Sequence, residues 1–256
     1  MVPATSYIQS RGLKALFTRS SQKQRPLTVP PPVLPNPLPP QQAWPDLPQV
    51  KAQPSFTDLD TKHWAWPILA DLSQRNLITG FPDGTFRPAA PITRAEFAAQ
   101  LAQLFNLPTK PQAEVTVYTD MPTTHWAYGS VQQSMQMGFL SGYPDGTFLP
   151  EQTVSRIHVI AALASGLTLK SSRSALMALK PYSDQSQVPP WATSSLIAVL
   201  DAGLVVNYPN PKQLAPARPA ERAEVAVMLH RALVYTGTLD DVPSPYVVGA
   251  SGLTVP

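Results

Sequence analysis

Three arginines open equivalent segments of the chain: Arg94 in Ile92-Thr93-Arg94-Ala95-Glu96, Arg156 in Val154-Ser155-Arg156-Ile157-His158, and Arg222 in Ala220-Glu221-Arg222-Ala223-Glu224. Each is expected at the first position of a helix. There a guanidinium offers a planar fork of donors to a carboxylate, and unpaired backbone amides and the positive dipole end lie beside it. The chemistry this points to is anion binding. The copies are not equal. Thr93 and Glu96 form a complete capping box. Ser155 keeps the cap, but His158 replaces the glutamate. Glu221 stands at the third cap, where a second acid would repel an anion. The expected order of anion affinity is therefore Arg94, Arg156, Arg222. Taken singly, each arginine is equally compatible with a surface salt bridge or a pair between repeats; three at matching places favour binding.

The elements that must position these arginines repeat with them. Trp64, Trp126 and Trp191 lead the copies, and twelve residues after each stands Asn76, Gly138 or Gly203, the residue types that tolerate the left-handed conformation closing a helix. Between them lie the apolar residues of a first helix: Ile68, Leu69 and Leu72; Val131 and Met135; Leu196, Ile197, Val199 and Leu200. Turns follow. Gly80-Phe81-Pro82-Asp83-Gly84-Thr85-Phe86 and Gly142-Tyr143-Pro144-Asp145-Gly146-Thr147-Phe148 are nearly identical, whereas the third copy reads Asn207-Tyr208-Pro209-Asn210-Pro211. The second helix then starts at the arginine. Its stripe is Phe97, Leu101, Leu104 and Phe105, then Ile157, Ile160, Leu163 and Leu167, then Val225, Met228, Leu229 and Leu233. Three repeats of two helices make an all-α fold, with Val115 to Tyr118 as no more than a short extended link.

Composition bounds the rest. Prolines crowd residues 26–54, predicting an extended polyproline-like linker, so residues 1–54 read as a basic, Pro-rich tail. Residues 1–53 carry a net +5, from Arg11, Lys14, Arg19, Lys23, Arg25 and Lys51 against Asp46, and the remainder is −2. A near-neutral body argues against a nucleic-acid surface. There is no cysteine, hence no disulfide framework and no thiolate zinc site. No apolar run approaches the ~20 residues of a membrane span, and no export leader is visible. His63 and His125 occupy matching places, but the third copy has Pro190 there, so a structural role is expected over a metal pair. His158 and His230 stand singly. The Asp83-Gly84 and Asp145-Gly146 steps lack the spaced carboxylates of a calcium loop. No nucleophile elbow, phosphate loop, metalloprotease helix or glycosidase carboxylate pair is present. No enzyme, metal or cofactor is expected.

The succession aromatic-Thr/Ser-Asp (Phe56-Thr57-Asp58, Tyr118-Thr119-Asp120, Tyr182-Ser183-Asp184), His-Trp-Ala, Gly-aromatic-Pro-Asp-Gly-Thr-Phe and Thr-Arg-Ala-Glu resembles the S-layer homology domain, over roughly residues 55–235. The third copy, with Leu204-Val205-Val206-Asn207-Tyr208-Pro209, looks like cyanobacterial versions. The resemblance implies a pseudo-threefold helical bundle, each repeat giving one helix to a central core and one to a prong. Repeats would cover 55–108, 115–170 and 180–236, followed by a C-terminal tail, 237–256. It also implies residence in the cell envelope and attachment to a peptidoglycan-linked polysaccharide, in many members a sugar bearing a pyruvate ketal. The ligand would lie in grooves between repeats, with the motif arginine on its acid group. The candidate glycan-binding residues are Arg94, Arg156, Arg222, Trp64, Trp126, Gly80 and Gly142, with Thr93, Glu96 and Ser155 as caps. Trp64 and Trp126 either offer flat apolar surface to a sugar or are buried structurally. A rival reading is a protein-interaction scaffold that keeps the fold without the glycan, and the tail would suit a protein partner.

Overall fold

The computed structural model describes residues 56–108 and 117–249. The tail, residues 1–54, and the link residues Val115 and Thr116 lie outside the described residues. Seven α-helices are present among those described: α1 (Trp66–Gln74), α2 (Arg94–Leu104), α3 (Tyr128–Gln136), α4 (Arg156–Gly166), α5 (Ala175–Leu179), α6 (Thr193–Asp201) and α7 (Arg222–Tyr235). The first helix of each copy is α1, α3 or α6 and the second is α2, α4 or α7. The fold is all-α.

The helix stops fall where the sequence put them. Asn76, Gly138 and Gly203 have φ of 56°, 83° and 66°. Most of the apolar stripes are buried, including Phe97, Leu101, Phe105, Ile157, Ile160, Leu163 and all of Val225, Met228, Leu229 and Leu233, while Leu104 and Leu167 are half-buried. Together with the first-helix residues of the first and third copies they make one large core, while Val131 and Met135 of the second copy join Ala95, Ala98, Tyr118, Met121 and Phe148 in a smaller one.

The copies are not the packing units, however. Each second helix packs on the first helix of the next copy: α2 on α3, α4 on α6, and α7 back on α1. Backbone hydrogen bonds close the same circle. Ile92 N donates to Ala220 O at 3.0 Å, Ala220 N to Val154 O at 2.8 Å, and Val154 N to Ile92 O at 3.0 Å. A strand-like step before each second helix thus pairs with its two counterparts.

One side chain fixes the turn that feeds each seam. Asp58 accepts from Phe86 N (2.8 Å) and Arg87 N (2.7 Å), Asp120 from Phe148 N and Leu149 N, and Asp184 from Leu214 N and Ala215 N. Arg87, Leu149 and Ala215 have φ of 60°, 57° and 45°, strained for non-glycine residues, and the paired carboxylate bonds hold them there. The lost Asp-Gly step of the third copy is replaced in kind: Asn210 Oδ1 takes Lys212 N at 3.0 Å, as Asp83 takes Thr85 N.

Two expectations about elements need correction. The six-helix count omitted α5, a single turn ending in the buried pair Ala178 and Leu179. The C-terminal stretch is not only a tail, because Val247–Val248 (β2) pairs antiparallel with Val205–Val206 (β1). Val205–Val206, which begins two residues past Gly203, therefore finds its backbone partners in the same chain.

Candidate functional site

Each motif arginine turns away from its own helix and into the turn of the next copy. Arg94 Nε donates to Phe148 O at 2.7 Å and Nη2 to Ser141 O at 2.9 Å, with the guanidinium 4.4 Å from the Phe148 ring centre and 4.9 Å from that of Tyr143. Arg222 Nε donates to Phe86 O at 3.0 Å, and its guanidinium lies 4.6 Å from the Phe81 ring centre. Arg156 Nε donates to Leu214 O at 2.8 Å and Nη2 to Val206 O at 2.9 Å. Carbonyl oxygens thus hold all three cations at the seams, with ring faces beside Arg94 and Arg222. All three arginines are buried, and this desolvation pushes their pKa down without discharging a guanidinium.

The helix amides do not do what was expected of them. The first two amides of each second helix are taken by the following copy: Arg94 N by Gln152 O and Ala95 N by Pro150 O, Arg156 N by Arg218 O and Ile157 N by Pro216 O, Arg222 N by Ala90 O and Ala223 N by Pro88 O. The third is capped by Thr93 in α2 and by Glu221 in α7, each within a capping box completed by Glu96 or Glu224. Ser155 sits at the cap position of α4, but its hydroxyl engages His158 Nδ1 at 2.7 Å and caps no amide. An anion at these seams must therefore be held by side chains.

The three seams differ in what faces the arginine. At Arg94 a cleft of about 380 Å³ opens, lined by Phe139, Leu140, Ser141, His158, Ser165 and Trp191, with no carboxylate on its walls among the described residues. Asp120, whose field reaches Arg94, is committed to its two amides. At Arg222 the cleft is about 200 Å³ and runs along Leu77 to Phe81, Gln100, Gln103 and Trp126. Glu96 Oε1 approaches Arg222 Nη1 at 3.3 Å, and Gln100 Oε1 is buried with no hydrogen-bond partner among the described residues. At Arg156 a cleft of about 320 Å³, lined also by Tyr208, Asn210, Gln213, Arg218 and Glu221, leads to a cation that is already paired. Its Nη1 meets Glu224 Oε1 at 2.9 Å, both side chains are only 1% exposed, and Arg218 bridges Glu224 and Glu221 from outside. Burial first, then Glu224, raises the Glu221 pKa. In exposure of the arginine the order is Arg94, Arg222, Arg156, at 8%, 7% and 1%, and Arg156 is the one with a fully buried glutamate, Glu224, aimed at it.

The tryptophans separate likewise. Trp126 and Trp191 stand 65% and 58% exposed at the rims of the Arg222 and Arg94 clefts. Trp64 is stacked on Tyr208 at 4.9 Å and edge-on to Tyr246, so its face is covered. Trp191 lies outside the expected site residues, although its twelve-residue offset to Gly203 matches that of its two counterparts. Gly80 lines the Arg222 cleft, and Gly142 adjoins Ser141. Neither leaves room for a side chain, since a Cβ at Gly80 would lie 2.8 Å from Phe56 and one at Gly142 2.1 Å from Tyr118. His63 and His125 accept the amides of Ala65 and Ala127 through Nδ1, each at 3.2 Å.

Three copies closed into a ring, with an inward arginine and an aromatic rim at each open seam, define a tandem-repeat helical module whose clefts belong to pairs of copies. The S-layer homology domain matches residues 55–98, 117–160 and 181–226, together more than half the chain, and the chain belongs to that family. It is similar to Cell surface glycoprotein 1 of Acetivibrio thermocellus (31% identical over 176 residues, 66% of this chain and 8% of the relative). It is also similar to the Cellulosome-anchoring protein of that organism (34% over 115 residues, 44% of this chain and 26% of the relative). A third relative is the Surface-layer 125 kDa protein of Lysinibacillus sphaericus (27% over 195 residues, 75% of this chain and 16% of the relative). The chain spans 8% to 26% of the length of these relatives. Family membership places the chain at the cell envelope and makes its repeats a cell-wall anchoring module. Among the described residues no helix is long and apolar enough to cross a membrane.

Proposed function

We propose that this chain is a non-catalytic wall-binding module that takes acidic groups of a peptidoglycan-linked polysaccharide in the clefts at Arg94 and Arg222. The observation that carries this is the pairing, twice over, of a buried guanidinium with an exposed tryptophan at one cleft: Arg94 with Trp191 and Arg222 with Trp126. A sugar has both faces such a cleft needs, an apolar ring face for the indole and an acid substituent for the fork. Gln100 Oε1 supplies a buried acceptor for a hydroxyl in the Arg222 cleft. The Arg156 seam is already neutralised by Glu224 and is assigned a structural role. A pyruvate ketal fits as the acid group, since it presents one carboxylate close to a ring.

The test is co-sedimentation with purified walls before and after chemical removal of their bound polysaccharide. The intact chain should pellet with the first and stay in solution with the second. Trp191→Ala combined with Trp126→Ala, both exposed and dispensable for the core, should lose most of that binding. Equal retention on both wall preparations would favour the protein-scaffold reading instead.

A further inference from the structure

At two seams the motif arginine faces the third residue of the next copy's second helix across an ion pair: Arg156 with Glu224 at 2.9 Å and Arg222 with Glu96 at 3.3 Å. At the remaining seam the residue in that place is His158. The ring of arginine–glutamate pairs is thus broken once, at the widest cleft, where Arg94 and His158 line the same walls. Arg94 is 8% exposed, and among the described residues it has carbonyl partners but no ion pair. His158 is exposed, its Nδ1 held by Ser155 Oγ at 2.7 Å and its ring 5.3 Å from that of Trp191. That leaves Nε2 as the nitrogen available to a ligand.

We infer that His158 determines what the Arg94 cleft accepts: with Arg94 it forms a two-point cationic clamp on one carboxylate of an acidic sugar, and the clamp tightens as the solution is acidified. The identity of the ligand rests on the wall-binding reading above; the clamp does not. Burial and then the Arg94 charge hold the imidazole below its usual range. A bound anion opposes both causes, so ligand uptake and proton uptake favour each other. The groups facing His158 are few. From α2 comes Arg94. Tyr143, from the turn after α3, faces Arg94 rather than His158, and its hydroxyl engages Gln152 Oε1 at 3.0 Å. On its own helix there is Ser155, and from the turn before α6 only the indole of Trp191. Asp201, at the C-terminal end of α6, is taken by Ser171 and Arg173.

The experiment uses the whole chain and sodium pyruvate as the probe. The four histidine ring signals are followed by NMR against pH, and that of His158 is assigned by its loss in His158→Gln. Saturating pyruvate should raise the His158 titration midpoint by about one unit, which corresponds to about tenfold tighter binding of pyruvate to the protonated cleft. Arg94→Gln should abolish that rise. His158→Gln should bind with no pH dependence, and His158→Glu, which restores the internal pair, should not bind at this cleft. A midpoint that pyruvate leaves unmoved, or that moves equally in Arg94→Gln, overturns the inference. A parallel arm with purified wall polysaccharide separates the two readings. If the polysaccharide fails to bind while pyruvate still moves His158, wall anchoring falls and the clamp stands. If it binds wild type and His158→Gln with one pH profile, the clamp falls and anchoring stands.

Discussion

Glu224→Gln tests the claim that the Arg156 seam is an internal lock. The substitution keeps the side-chain shape and removes one charge. Arg156 and Glu224 are each 1% exposed, so solvent cannot supply a counter-charge. Breaking such a buried pair from one side costs about 3–5 kcal/mol. Arg156 would keep Leu214 O, Val206 O and Asn207 Oδ1, and glutamine could still accept one bond, which points to the lower end, about 3 kcal/mol. For a chain of this size that corresponds to a fall in Tm of roughly 6–12 °C. The internal control is Glu96→Gln. Its pair with Arg222 is longer, at 3.3 Å, and Glu96 is 28% exposed, so the expected loss is about 1 kcal/mol, mostly the weakened capping box. Urea denaturation followed by tryptophan fluorescence measures both. If Glu224→Gln costs no more than Glu96→Gln, the Arg156 seam is not a lock, and its exclusion from binding loses its basis.

Gly142→Ala should destabilise the fold by about 1–3 kcal/mol or prevent folding, because its Cβ would fall 2.1 Å from Tyr118. Gly129→Ala, with nothing within 4 Å and a place in the first turn of α3, should raise Tm by about 1–4 °C, from about 0.5–1 kcal/mol. Asp184→Ala should lower Tm more than Asp58→Ala, since both lose two amide bonds but Asp184 is buried at 6% exposure. Equal losses would mean that burial adds nothing to that clamp. His230 is fully buried without a hydrogen-bond partner among the described residues, and burial lowers its pKa from 6.5. The unfolded chain therefore takes up the proton first as pH falls, so this stability is complete above about pH 6.5 and declines below it. His230→Leu should shrink the difference between urea midpoints at pH 7 and pH 5.5; an unchanged difference would clear His230 of that role.

Local chemistry was legible in the sequence and closure was not. Asn76, Gly138 and Gly203 mark helix ends because their backbone requirement is contained in a few residues. The Thr93–Glu96 box is equally local. The partner of Arg94 N, by contrast, is Gln152 O, a carbonyl in another copy, and no spacing rule announces it. The same limit explains the tryptophans. Trp64 looks like its counterparts in sequence, and only the arrival of Tyr208 and Tyr246 covers it. The value of His158 was half visible: its place in the motif showed a broken capping box, while its meeting with Arg94 needed the fold. Val247–Val248 follows several prolines and reads as tail until Val205–Val206 offers an edge.

The closed circuit through Ile92, Ala220 and Val154 sets a minimum dose of sequence. A fragment with two copies would end with one donor step, one acceptor step and the apolar flank of a helix all lacking a mate. Such a fragment would recruit the absent copy from another molecule, so two-copy pieces should assemble between chains where the three-copy chain satisfies itself. Gene-level loss of a copy would therefore change stoichiometry before it changed ligand affinity.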